Sequence, residues 1–136
     1  MKFIGTGIDI LENVRIEKAI KNDLFIKKIF SKEEIACSKK IKNKASFYSK
    51  RFAAKEAFVK SIGTGFRNRL SFRDITIIND KLGKPSFLIN KRVRELIKKR
   101  FKTNKYNFLL SISDEKKYSI AIVIFQILWK LTKTFW

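Results

Sequence analysis

Apolar positions along this 136-residue chain recur at two spacings, and the spacings predict its elements. Residues 3–11, FIGTGIDIL, alternate and read as a first strand, with Gly5 and Gly7 permitting close backbone approach. A short helix is predicted over 13–21, with Asn13 as N-cap and Val14, Glu17, Lys18 and Lys21 at helical spacing. Ser31-Lys32-Glu33-Glu34 forms a capping box that opens a helix to about residue 42. A longer helix follows over about 45–62, where Phe47, Ala54, Ala57, Phe58 and Ser61 make a small-and-aromatic packing face and Gly63 stops the helix. FRDITIIN, residues 72–79, is a β-branched strand that turns through NDKLGKP into a partner strand over 86–89. Asn90 caps a basic helix to about residue 101. Strands over 106–113 and 118–127 meet at residues 114–117. This order predicts an α+β fold.

Composition narrows the class. The length suits a single domain with a real core, and 45% hydrophobic residues with one Pro and five Gly argue against disorder. Cys37 stands alone, so no internal disulfide forms and a reducing cytoplasm is the expected compartment; its simplest role is a small apolar filler on a helix. The absence of His excludes Ser-His and Cys-His catalysis and imidazole metal ligation. The formal charge of +20 calls for an anionic partner, although 24 Lys against 8 Arg, with abundant Ile, Asn and Phe, is also the usage of an AT-rich genome. The N-terminus, interrupted by Asp9, reads as neither signal peptide nor anchor. Residues 120–129 fall short of the ~20 apolar residues of a membrane span.

Two carboxylates stand out. Asp9 sits in an apolar strand, where an unpaired buried carboxylate is costly; the plainer reading turns it outward, opposite Ile8 and Ile10. Glu56 stands among Arg51, Lys55 and Lys60, and its plainer reading is a solvent-exposed i,i+4 pair with Lys60. Together, Asp9 and Glu56 make a pair able to hold a hard cation such as Mg²⁺, whose remaining ligands are waters and phosphates. Lys55, Lys60 and the amides of Gly63-Thr64-Gly65 would cradle the phosphate, unless these glycines only terminate the helix.

These residues carry a family resemblance. The chain resembles the small class of 4′-phosphopantetheinyl transferases, the holo-acyl-carrier-protein synthases. The matching segments run in order: Gly7-Ile8-Asp9-Ile10; Arg51-Phe52-Ala53-Ala54-Lys55-Glu56-Ala57 with Lys60; Gly63-Thr64-Gly65; Gly83-Lys84-Pro85; and Leu110-Ser111-Ile112-Ser113 followed by Tyr118. The match covers residues 3 to about 125, and the ordered combination is far more specific than any one segment. Two features depart from the family pattern. Asp114 stands where many members carry His, and the chain continues through Leu128–Trp136. That extension is expected to pack as an added apolar segment or to cover a subunit interface, leaving residues 1–127 as the transferase domain.

The resemblance implies an antiparallel sheet packed on helices, one domain per subunit of a homotrimer, and active sites between neighbours. It implies transfer of phosphopantetheine from coenzyme A to a serine of acyl carrier protein, with adenosine 3′,5′-bisphosphate released. Asp9 and Glu56 would ligate Mg²⁺, Glu56 would serve as general base through a metal-bound water, and Lys60 would stabilise the departing phosphate. Arg51, Lys55 and the Gly63–Gly65 backbone would bind the other phosphates. Gly83, Lys84 and Pro85 would lie against the adenosine, or else form only a tight hairpin. Asp114 would accept from a sugar hydroxyl or adenine amine, or else only bond its own turn. Arg15 would meet the acidic carrier protein, with Lys18 and Lys21 as helpers by position. A basic nucleic-acid-binding protein is the rival reading, supported by KRVRELIKKRFK at 91–102, but it accounts for neither Asp9 nor the order of the matched segments.

Overall fold

The computed structural model describes residues 2–65 and 70–128. Strand β1 (Lys2–Glu12) leads directly into α1 (Asn13–Ala19), followed by α2 (Asp23–Ile29), α3 (Lys32–Ser38) and the long α4 (Lys44–Ile62). A single 3₁₀ turn, Phe72–Asp74, precedes the hairpin of β2 (Ile75–Asn79) and β3 (Pro85–Ile89). Helix α5 (Lys91–Phe101) and the strands β4 (Tyr106–Asp114) and β5 (Tyr118–Ile127) complete the α+β order. The three-stranded sheet has the order β1-β5-β4, antiparallel throughout, and β2-β3 forms a separate two-stranded ribbon. The extension beyond Leu128 lies outside the described residues.

Helix α4 is the axis of the molecule, and small residues explain how closely β1 approaches it. A Cβ on Gly7 would stand 1.8 Å from the carbonyl oxygen of Ala57, and one on Gly5 2.0 Å from that of Ser61. Backbone meets backbone there, so only glycine fits. Ala53, Ala54 and Ala57 are fully buried on the same helix. Phe47 and Tyr48 pack toward Phe30 and Ile16, while Phe58, Val59 and Ile62 pack toward Ile75, Val93, Ile97 and Phe125. Gly63 takes the left-handed conformation (φ 75°) and closes the helix, as its position predicted.

The register fixes which face of β1 does what. Gly7, Asp9 and Leu11 face α4, whereas Ile8 and Ile10 remain 55% and 61% exposed on the outer face. Asp9 therefore points inward, reversing the outward-facing alternative, because the sheet's packed side is chosen by the two glycines rather than by the isoleucines.

Local expectations met several corrections. The Ser31 capping box is present, with Glu34 N–H donating to Ser31 Oγ and Ser31 N–H to Glu34 Oε1, but its helix ends at Ser38. Asn13 does not cap α1. Its amide donates to the Glu115 and Lys116 carbonyls and accepts from Ser119 Oγ, tying the start of α1 to the β4–β5 turn. Helix α2 was not anticipated, although Asn22 caps it by accepting from Leu24 N–H. Cys37 lies on the exposed side of α3 and fills no core space. In α5, capped by Asn90 as expected, Val93 and Ile97 are fully buried and the cations line the outer face.

Candidate functional site

Asp9 comes from the middle of β1 and Glu56 from the fourth turn of α4; the glycine-mediated contact of these two elements brings them together. Both line a cavity of about 440 Å³ with Arg15, Lys60, Phe25 and Phe52. Burial pushes both carboxyls above their ordinary pKa values. Asp9 raises Glu56 further by like-charge repulsion, and Lys60 opposes the shift in both. Lys60 Nζ donates to Asp9 Oδ1 at 3.2 Å and to the Ile8 carbonyl at 2.8 Å, so its ion pair is with the strand rather than with Glu56 one turn back. Arg15, exposed on α1, adds a weaker favourable field at Asp9. Lys18 and Lys21 are also exposed, on and just after the same helix.

A second cavity, about 280 Å³, gathers Arg51, Gly83, Pro85 and Asp114 with Asn79 and Phe47. Arg51 is buried, and its guanidinium carbon lies 3.6 Å from the centre of the Phe47 ring. Its Nη2 donates to Asn79 Oδ1 at 2.9 Å, while its buried Nε has no hydrogen-bond partner among the described residues. Burial lowers its pKa, with the Glu34 carboxylate acting against the shift. Gly83 holds a positive φ of 86° in the turn between β2 and β3, which only glycine adopts without strain. Asp114 ends β4 rather than sitting in a free turn, and it accepts from Ser46 Oγ at 2.8 Å. Lys84 is exposed beside Gly83, and its backbone N–H donates to Asp80 Oδ1. Gly63, Thr64 and Gly65 follow α4 directly but line neither cavity; the Thr64 hydroxyl donates to the Gly65 carbonyl.

Lys55 is a correction. It was expected to bind phosphate, but it is fully buried and its ammonium donates to Glu34 Oε1, the Ile29 carbonyl and the Phe72 carbonyl. All three of its protons are committed within the subunit. Its partner Glu34, also buried, accepts from Ser31 and from Ile77 N–H, and stands 3.9 Å from Arg51 Nε. The capping-box pattern drew attention to Glu34 only as a helix start; nothing local in the sequence marks it as the counterion of two cations on α4. In the sequence Asn79 likewise reads only as the end of a strand. A roomier cavity of about 620 Å³, between Ser31, Arg73, Asp74 and Asn90, contains none of the expected site residues. Its buried Asp74 is already satisfied by Ser71 N–H and Asn90 Nδ2.

The family model described as "4′-phosphopantetheinyl transferase superfamily" matches residues 5–123. The holo-[acyl-carrier-protein] synthase of Pelagibacter ubique is 64% identical over 126 residues, spanning 93% of this chain and 98% of that protein. Among solved structures, the synthase of Neisseria meningitidis superposes with a TM-score of 0.84 at 34% identity, over 92% of this chain and 99% of its own. The Bacillus anthracis synthase, solved in complex with CoA (3′,5′-ADP), gives a TM-score of 0.77 at 34% identity, over 93% and 98%.

Proposed function

This chain belongs to the 4′-phosphopantetheinyl transferase superfamily, and on that footing we propose that it is a holo-[acyl-carrier-protein] synthase supplying fatty acid synthesis. The reaction moves 4′-phosphopantetheine from coenzyme A to a serine of apo-acyl carrier protein. The serine oxygen bonds to the phosphorus bearing pantetheine, the bond from that phosphorus to the bridging oxygen breaks, and adenosine 3′,5′-bisphosphate leaves. The observation that carries this reading is the meeting of Asp9 and Glu56, with Lys60 beside them, in one cavity.

The donors suit Mg²⁺. They are hard oxygens, their mutual repulsion and burial leave them short of positive charge, and two carboxylates are the usual complement when phosphates complete the shell. No group of three or more His, Cys, Asp or Glu able to hold a metal occurs among the described residues. Asp9 and Glu56 would hold the ion, which when bound supplies charge neutralisation at the pyrophosphate. Glu56, whose carboxyl is pushed above its ordinary value by burial and by Asp9 in the metal-free protein, takes the serine proton. Lys60, half-exposed at the last turn of α4, faces the phosphate that departs. Arg51, Gly83, Lys84, Pro85 and Asp114 form the nucleotide half of the site; beyond Lys60 the backbone amides of Thr64 and Gly65 would add to it, whereas the Gly63 N–H is committed to the Val59 and Lys60 carbonyls that close α4. Arg15, with Lys18 and Lys21, meets the acidic carrier protein.

The carboxylate half and the nucleotide half occupy different cavities of one subunit, which supports a homotrimer in which each half faces a neighbour's complementary half. The outer face of β1-β5-β4 supports the same assembly. Ile8, Ile10 and Ile122 are 55%, 61% and 43% exposed there, and the register sets Ile8 against Ile122 and Ile10 against Ile120. A continuous apolar sheet face of this kind is characteristic of an interface. No helix among the described residues is long and apolar enough to cross a membrane. The test is direct: incubate the protein with coenzyme A, Mg²⁺ and apo-acyl carrier protein and record intact mass. The carrier gains one phosphopantetheine, and the gain disappears in excess chelator. A carrier of unchanged mass under all conditions overturns the reading.

A further inference from the structure

We propose that Asn79 is a positioning residue of the nucleotide half-site, locking Arg51 to the Gly83 turn so that the two present one preformed surface to coenzyme A. The inference rests on the synthase reading above. Asn79 is the last residue of β2, paired with Pro85 across the hairpin. Its Oδ1 accepts from Arg51 Nη2 at 2.9 Å, and its Nδ2 donates to the Gly83 carbonyl at 3.0 Å. All these residues line the same cavity with Asp114.

The chemistry of the two neighbours determines the orientation of the amide. A guanidinium only donates and a carbonyl only accepts, so the reverse flip would oppose donor to donor and acceptor to acceptor. Aspartate would hold Arg51 but repel the Gly83 carbonyl, and lysine would do the opposite. Asparagine satisfies both at this length.

Arg51 has few other restraints. Among the described residues its Nε finds no hydrogen-bond partner, Glu34 stands 3.9 Å away, and the Phe47 ring fixes only the plane of the guanidinium. The Asn79 bond is thus what sets the direction of its remaining N–H groups. The turn, by contrast, is held independently of Asn79. Gly83 N–H donates to the Asp80 carbonyl, Asp80 N–H to the Lys84 carbonyl, and Asp80 Oδ1 accepts from Leu82 and Lys84 N–H. Removing the amide should therefore leave a folded hairpin and a misdirected arginine.

The experiment measures steady-state kinetics and calorimetric coenzyme A affinity for Asn79→Ala, Asn79→Asp, Arg51→Ala and the double variant Asn79→Ala/Arg51→Ala. Asn79→Ala is expected to raise KM and Kd for coenzyme A about tenfold, the scale of one hydrogen bond to a charged group. KM for the carrier protein and the melting temperature should stay near wild type. Asn79→Asp, which keeps the acceptor for Arg51, should recover part of the affinity. In the Arg51→Ala background, adding Asn79→Ala should change nothing further, because Asn79 acts through that side chain.

Additive losses in the double variant, or equal losses for both substrates with a lowered melting temperature, would overturn the proposal. So would an unchanged Kd for Asn79→Ala while Arg51→Ala weakens binding. If wild type transfers phosphopantetheine but Arg51→Ala binds coenzyme A normally, this inference fails and the synthase reading survives. An inactive wild type removes both.

Discussion

Lys55 and Lys60 lie five residues apart on one helix, carry the same charge, and should respond to the same substitution in opposite ways. Lys55→Met removes the donor from a side chain with no exposure, leaving the Glu34 carboxylate and the Ile29 and Phe72 carbonyls without it. Breaking a buried pair by deleting one partner costs about 3–5 kcal/mol. Glu34 still accepts from Ser31 and Ile77 and has Arg51 at 3.9 Å, which points to the lower end, about 3 kcal/mol. For a chain of this size that corresponds to a fall in melting temperature on the order of 10 °C. Lys60→Met removes a side chain 51% exposed that, among the described residues, bonds Asp9 and the Ile8 carbonyl, so the cost should be about 0–1 kcal/mol. Differential scanning calorimetry at one fixed protein concentration makes the comparison, with coenzyme A kinetics run well below each transition. Lys55→Met should melt early while its folded fraction keeps a near-normal KM for coenzyme A; Lys60→Met should melt normally and transfer poorly. Adding Glu34→Gln to Lys55→Met should recover part of the lost stability by removing the orphaned charge. A Lys55→Met protein of normal stability with a sharply raised KM for coenzyme A would refute the structural role and restore Lys55 to the phosphate site.

Glu56→Gln should lose about 10²- to 10⁴-fold in transfer rate, the usual contribution of a general base, while its melting temperature stays within a few degrees of wild type. The sign of its pH effect is also set. Both Asp9 and Glu56 are raised by burial in the folded state, so in metal-free protein their contribution to stability is greatest below the unfolded carboxylate values and is lost as pH rises through the folded ones. Glu56→Gln should therefore gain stability relative to wild type between acid and neutral pH, and urea melts at a series of pH values would expose the opposite trend if the shift were wrong. Gly7→Ala should cost about 3 kcal/mol or more, because its Cβ meets the Ala57 carbonyl rather than a movable side chain; a thermal melt unchanged from wild type would refute the close approach. Lys18→Glu should raise KM for the carrier protein alone, as added salt would. Arg15→Glu should raise that KM and also weaken Mg²⁺ dependence, since Arg15 shares the Asp9 cavity; identical profiles for the two variants would separate Arg15 from the carboxylates.

Much of this protein is legible one segment at a time, where a short-range rule decides the outcome. Ser31 and Glu34 three apart form a capping box, Gly63 closes α4 because only glycine enters the left-handed region freely, and Asn90 caps α5. The strands at both ends of the chain follow from alternation and β-branching. The ordered motifs also identified the family, since they preserve chemistry at chain positions that do not depend on seeing the fold. What the tertiary structure alone decided is direction and partnership. Asp9 faces α4 because Gly5 and Gly7 let that side of β1 pack, leaving the isoleucines outside; hydrophobicity along the strand suggests the reverse. Lys55, Glu56 and Lys60 look alike as members of a charged helix, yet successive positions on a helix point about 100° apart. One therefore goes into the core against Glu34 from 21 residues earlier, while the other two meet Asp9 from 47 and 51 residues away. Such pairings depend on which elements the core brings into contact, and no local rule within one segment specifies them.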